Sequence, residues 1–318
     1  MHPVLKLVVQ RIALGLFLLL IISVVIFLGV EALPGDTAQA ILGQSATPQA
    51  LENLRAEMGL DQPALTRYFH WLGGILTGDL GTALTNKADI AKSIGQKLGN
   101  TLFLAGSAAV IAVPLAILLG TIAARYAGRW PDKLISAVTL TTISLPEFVA
   151  AYFVIFFLTQ VFPIFQPVSL VLPGMGFWAK LHAIALPVIV LVMVVLAHMM
   201  RMTRAAILNV MQSAYIETAE LKGLTPMQVV WRHAFPNAIA PVVSVVMLNL
   251  AYLVVGVVVV EVVFVYPGMG QYLVDHVSKR DLPVVQACGL IFAGVYIALN
   301  IIADVVSILA NPRLRHPK

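Results

Sequence analysis

Long apolar stretches alternate with short polar joints along this chain. A bilayer core of about 30 Å needs about 20 apolar residues in a helix. Six stretches reach that length: Ile12–Val30, Thr101–Ala124, Leu134–Phe162, Leu181–Met200, Ala234–Val260 and Leu282–Ala303. Apart from one break in the third, each is continuously apolar. None alternates with a period of two, so the pattern predicts helices and excludes a β-barrel. Pro146-Glu147 interrupts the third stretch and predicts a break there. The expected fold is an all-α integral membrane protein with six transmembrane helices.

The first stretch follows Lys6 and Arg11 but is longer than the roughly 7–15 apolar residues of a signal peptide. It is read as an uncleaved helix. Two polar joints are too long to be connectors. Residues 31–100 carry helix signals: Thr47-Pro48 as N-cap and first position, Leu51, Leu54 and Met58 on one face, and Gly59 as a stop. Asp61 reads as the cap of a second helix carrying Leu65, Phe69 and Leu72. With Tyr68 and Trp71 alongside, these signals predict a small ordered loop domain after helix 1. The chain then divides into residues 1–30 (N-tail and first helix), 31–100 (loop domain), 101–308 (helical core) and 309–318 (C-tail). The second long joint, 205–236, lies within the core. Small residues recur four apart, as at Gly120/Ala124 and Gly289/Ala293, a spacing that suits close helix contact.

Composition points the same way. Of 318 residues 60% are hydrophobic and 11% charged, against about 25% charged in a soluble domain. Cys288 is the only cysteine, which excludes an internal disulfide or a Cys-based metal cluster. The net charge of +5 matters less than its distribution, and no nucleic-acid partner is expected. With the N-terminus in the cytoplasm, the short inside segments hold twelve Lys and Arg against three in the short outside loops. The 31–100 joint is long enough to be exempt, and it holds seven acids against five bases. Both termini are expected in the cytoplasm, with the loop domain outside.

Several chemistries are absent. The sequence holds no G-x-x-x-x-G-K-[ST] phosphate loop, no H-E-x-x-H and no G-x-S-x-G. His182, His198 and His233 read as interfacial polar residues, and no metal site is expected. Three acids lie in or near spans: Glu147, Glu261 and Asp304. A charge at the bilayer centre costs about 2.5–3.5 kcal/mol and by default points to function. Glu261 and Asp304 lie near helix ends, from which a side chain reaches the interface. Glu147 lies deeper. Glu147 and Glu261 are the candidate pathway-lining residues.

The joint between the fourth and fifth stretches is the most specific. It reads Tyr215-Ile216-Glu217-Thr218-Ala219-Glu220-Leu221-Lys222-Gly223, then Arg232-His233-Ala234-Phe235-Pro236-Asn237. Tyr215 to Leu221 is long enough for about two helical turns. Gly223 lets the chain reverse, and Thr225-Pro226 supplies an N-cap and first position for the next helix. This resembles the EAA loop of ABC-transporter permeases fed by a substrate-binding protein. Glu217, Ala219, Gly223, Phe235 and Pro236 fall in the family register. The form is similar to the dipeptide/oligopeptide branch, which includes nickel permeases. The resemblance extends over nearly the whole chain. It includes Gly59-Leu60-Asp61-Gln62-Pro63, Tyr68, Trp71 and Gly78-Asp79-Leu80-Gly81. It continues through Pro267-Gly268-Met269-Gly270, Arg280-Asp281-Leu282-Pro283 and Pro312-Arg313-Leu314-Arg315. Thr218 replaces the second Ala of the pattern, Glu220-Leu221 stands where Arg-Ala is more frequent, and Asn311 stands where Asp is usual.

The resemblance implies a bacterial inner-membrane transport subunit with no catalytic residues and no cofactor of its own. ATP and Mg²⁺ would be bound by two cytoplasmic ATPases, or by one ATPase as a homodimer. A second homologous permease subunit, an extracytoplasmic substrate-binding protein and membrane lipid are the other implied partners. Docking to the ATPases is implied for Tyr215, Glu217, Ala219, Lys222, Gly223, Arg232, His233, Pro236 and Asn237. The implied cargo is a dipeptide or oligopeptide. The alternative is an ion-coupled secondary transporter using Glu147, Glu261 and Asp304; the lack of an obvious inverted repeat weighs against it.

Overall fold

A computed structural model describes residues 3–33, 37–43, 46–57, 59–172 and 174–310. The expectations for Met58 and for the tail beyond residue 310 lie outside the described residues. Among those residues every regular element is a helix, apart from one isolated antiparallel bridge between Thr82 and Asp89. Among the described residues five helical segments are long and apolar enough to cross a membrane: Lys6–Glu31, Ile90–Arg125, Ala185–Met211, Pro226–Val254 and Leu282–Ile308. They belong to α1 (Pro3–Glu31), α5 (Ile90–Arg125), α9 (Ala185–Met211), α12 (Phe235–Val263) with its lead-in, and α14 (Leu282–Ala310). A sixth crossing is broken. α6 (Trp130–Ser144) meets α7 (Glu147–Ile155), which a π-helical turn continues to Val161, at 104°. Pro146 has no N–H to give and holds Leu145 extended (φ −86°, ψ 129°), so one helix cannot run through.

The helices outrun the apolar stretches that announce them. α5 starts at Ile90, eleven residues before Thr101. Lys92 and Lys97 end an apolar run but not a helix, and the Asp89 carboxylate caps its start by accepting the Lys92 N–H at 2.8 Å. α9 continues past Arg201 and Arg204 to Met211. Helical backbone resumes at Pro226, so the polar joint outside the long helices is shorter than 205–236.

The chain forms two compact units. The larger holds Leu102–Tyr266 with the segments up to Ile12 and from Ala298 on. In it α9 is central and packs against α6, α7 and α12. Gly120 of α5 lies against α9 so closely that a Cβ there would fall 2.8 Å from Thr203 Cβ and 2.9 Å from the Met200 carbonyl oxygen. Only a residue without a side chain allows that approach. Asp132 of α6 is buried and takes both Nε and one terminal nitrogen of Arg204 of α9, each at 2.7 Å. The same carboxylate accepts the Gly128 N–H at 2.8 Å, which ties the α5–α6 turn into the pair. Arg11 of α1 pairs with Asp304 of α14 at 3.1 Å.

The other unit holds Ala13–Thr101 and Pro267–Ile297. It contains α2 (Thr37–Leu42), α3 (Pro48–Glu57), α4 (Ala64–Thr77) and α13 (Met269–Ser278). α3 starts as its sequence predicts, with Thr47 Oγ1 accepting the Ala50 N–H at 3.3 Å. Asp61 does not cap α4. Pro63 occupies the N-cap and no side chain caps this end. Proline disfavours a helical residue before it, so Gln62 cannot open the helix. Leu65 and Phe69 are 70% and 63% exposed, whereas Tyr68 and Trp71 lie 5.4 and 6.2 Å from the Phe27 ring of α1. Tyr68 and Ser23 share a hydrogen bond between their hydroxyls at 2.8 Å.

Candidate functional site

A short helix, α10 (Ala214–Leu221), stands between α9 and the lead-in to α12. Ile216 and Ala219, three residues apart, are buried. They join an apolar cluster with Ile207 of α9, Val229 and Ala234 of the lead-in and Ala238 of α12. This one-sided burial seats the helix. Glu217, Thr218, Glu220 and Lys222 are exposed, and Tyr215 is half-exposed. Leu221 is 82% exposed, and Met227 and Trp231 further along the same segment are exposed as well. The segment thus shows several large apolar side chains that its own chain leaves uncovered, among charges of both signs. Such a surface suits a protein partner.

The turn after α10 is set by Gly223. The Gly223 N–H donates to the Glu220 carbonyl at 2.9 Å and the Leu224 N–H to the Ala219 carbonyl at 3.4 Å. This is the Schellman pattern, and it needs the left-handed backbone that Gly223 adopts at φ +78°. Leu224 turns back onto the apolar cluster. α11 (Pro226–Gln228) then opens with a capping box: Thr225 Oγ1 accepts the Gln228 N–H, and Gln228 Oε1 accepts the Thr225 N–H at 3.0 Å.

A π-helical turn, Val229–Ala234, carries Arg232 and His233 into α12. Pro236 explains the widening. It offers no N–H to the Arg232 carbonyl and its ring would collide with that group in a regular helix. The Asn237 side-chain amide donates to the His233 carbonyl at 2.7 Å. Of the nine positions singled out in this segment, Tyr215, Glu217, Lys222, Gly223, Arg232, Pro236 and Asn237 are exposed, His233 is half-buried, and Ala219 faces inward. The structure adds Ile216 as an anchor. A period of three linking Ile216 to Ala219 was its only sequence signal.

The three acids in or near spans stand in different surroundings. Glu147 is half-buried in the first turn of α7. Asp304 is held by Arg11. Glu261 is fully buried near the end of α12, and its carbonyl accepts the Tyr266 N–H at 2.8 Å. Burial, with the Glu261 charge adding to it, pushes the Tyr266 phenol above its usual range, so that group stays neutral. Among the described residues no three acids, histidines or cysteines gather where they could hold a metal ion.

Two family matches cover most of the chain. Residues 4–105 match the N-terminal part of a binding-protein-dependent transport system membrane component. Residues 116–316 match the family described as "Binding-protein-dependent transport system inner membrane component". The chain belongs to this family. Among curated relatives, the glutathione transport system permease protein GsiC of Shigella flexneri is 38% identical over 298 residues, covering 94% of this chain and 95% of the relative. GsiC of Escherichia coli and of Shigella dysenteriae are each 37% identical over the same coverage. The chain is therefore an ABC inner-membrane permease of the peptide/oligopeptide type, a multi-pass transport subunit. Permeases of this family work with a partner permease, an ATPase and a substrate-binding protein. Nothing in these matches favours an ion-coupled transporter.

Proposed function

We propose that this permease imports short peptides, forms half of the pathway with a second six-helix permease, and is driven by cytoplasmic ATPases that grip α10. The Lys and Arg distribution supports cytoplasmic termini, which puts α10 on the ATPase side and residues 31–100 on the binding-protein side. The observation that carries the docking assignment is the two-faced α10. Its inner face, Ile216 and Ala219, is buried, while Tyr215, Glu217, Lys222 and the 82% exposed Leu221 form an outer face. A helix held this way suits helix-in-groove recognition. ATP-driven closure of the ATPases then moves α10, and through the shared apolar cluster α9 and α12. ATP and Mg²⁺ stay on the ATPases. The peptide class rests on the relatives' cargo, glutathione, itself a tripeptide. Glu147, in the first turn after a break in a membrane crossing, is the favoured pathway-lining acid, with Glu261 second.

Gly223→Asp tests the docking. A Cβ at this position meets nothing within 4 Å, so the new carboxylate projects outward. The left-handed backbone alone costs about 1–2 kcal/mol. The expected result is a variant that inserts and accumulates but does not take up peptide or stimulate the ATPases. Gly223→Ala, with the same backbone cost and no charge, retains most activity. Normal uptake by Gly223→Asp would remove α10 from the coupling path.

A further inference from the structure

Motifs that the α10 assignment leaves unused converge in the smaller unit. Gln62 of the Gly59–Pro63 motif, Trp71 of α4, Asp79 of the Gly78–Gly81 motif and Pro283 at the start of α14 all line one cleft of about 650 Å³. That volume lies within the range of small-molecule sites, about 300–1,000 Å³. Its wall is fixed in advance. Asp281, fully buried beside it, accepts the N–H groups of Leu84 at 3.1 Å and Thr85 at 2.9 Å and the Thr85 hydroxyl at 2.7 Å. The Asp79 carbonyl oxygen lies 2.8 Å from where a Gly74 Cβ would sit, so the Gly78–Gly81 loop is pressed onto α4. A site ordered before binding loses less entropy when a ligand arrives.

The lining is chemically mixed. Arg67 and Glu31 border the cleft and pair with each other through one terminal nitrogen of Arg67. Arg67 Nε is buried and has no hydrogen-bond acceptor among the described residues. A guanidinium offers five N–H donors in a rigid fork, and one carboxylate oxygen does not exhaust them. His70, one helical turn further along α4, lines the same cleft and is exposed. Phe27 and Trp71 supply aromatic surface, and Glu31 and Asp79 supply negative charge.

We propose that this cleft is an entry subsite for a short peptide, with Arg67 and His70 receiving its free C-terminal carboxylate, Glu31 and Asp79 its ammonium group, and Phe27 and Trp71 its side chain. The proposal rests on the peptide-importer reading and on the loop domain lying outside the membrane. It goes beyond that reading by giving the permease its own contact with cargo before the membrane pathway.

The test uses the complete transporter in nanodiscs without binding protein. The dipeptide Ala-Phe and its C-terminal amide are titrated by ligand-observed NMR. The acid is expected to bind about tenfold more tightly than the amide, because only the acid offers Arg67 an anionic acceptor with two equivalent oxygens. His70→Asp, at an exposed position, and Arg67→Gln are each expected to weaken the acid about tenfold and leave the amide unchanged. Equal binding of acid and amide, no binding of either, or an unaltered acid affinity in His70→Asp overturns the subsite. If Arg67→Gln fails to accumulate, His70→Asp decides alone. A cleft that instead takes a segment of the binding protein gives variants that lose transport without any carboxylate-dependent binding, which also overturns it. ATP-driven uptake in the same preparation, with binding protein added, separates the two readings. Uptake of Ala-Phe without carboxylate-dependent binding sinks only the subsite. ATP hydrolysis with no peptide uptake sinks the peptide-importer reading.

Discussion

Glycines at two helix contacts sit in different surroundings, and the difference is measurable. At Gly120 an added Cβ meets Thr203 Cβ at 2.8 Å and the Met200 carbonyl oxygen at 2.9 Å. A carbonyl inside α9 cannot move aside without the helix moving. At Gly289 the nearest atom is Ile26 Cδ1 at 3.2 Å, the free end of a flexible side chain. Gly120→Ala is expected to lower stability by about 1–3 kcal/mol, and Gly289→Ala by less than about 1 kcal/mol. Thermal unfolding of the detergent-solubilised protein ranks them, and equal losses would contradict the packing. Both glycines belong to small-residue pairs that look alike in the sequence, Gly120/Ala124 and Gly289/Ala293. What faces each one is supplied by another helix, so the pairs could not be told apart without it.

Between elements, the firmest polar joint is Asp132 with Arg204. Asp132 is buried, Arg204 keeps 29% of its side chain exposed, and two bonds at 2.7 Å join them. Discounted for that exposure, Asp132→Ala is expected to cost about 1–3 kcal/mol, because it leaves Arg204 and the Gly128 N–H without their acceptor. The charge-swapped pair Asp132→Arg with Arg204→Asp should restore little. An arginine at 132 cannot accept the Gly128 N–H at 2.8 Å or the Ser136 hydroxyl at 3.3 Å. Full recovery of the melting temperature in the swap would reduce this joint to a simple ion pair. Arg204 lies in the chain shortly before the α10 segment, and nothing near it in the sequence points to Asp132. The helix ends were hidden for a related reason. A lysine ends an apolar run, whereas a helix ends only when its backbone bonding stops, so α5 and α9 extend past their charges.

For the whole molecule, the expectation with most weight is orientation. Cys288 is buried, so the natural chain offers a quiet background for thiol labelling. Leu65 and Leu221 are 70% and 82% exposed and lie on α4 and on α10. In intact spheroplasts Leu65→Cys should react with a membrane-impermeant maleimide, and Leu221→Cys only after the membrane is opened. The reverse pattern would invert the topology and take α10 away from any cytoplasmic ATPase.

The six crossings, the break at Pro146, the Gly223 turn and the Thr225 cap were determined by the sequence alone. Each depends on a property that adds up locally: transfer of consecutive side chains into lipid, or the backbone preferences of proline, glycine and threonine. The Asp61 cap failed at the same range, where Pro63, two residues on, outweighed it. Tertiary structure alone decided what meets across the chain. The Asp132–Arg204 pair spans 72 residues, the Leu84–Asp281 bond spans 197, and the cleft beside Asp281 draws its walls from segments far apart in the chain. Those contacts depend on how helices pack in three dimensions, and a linear pattern of apolar and polar positions does not carry that information.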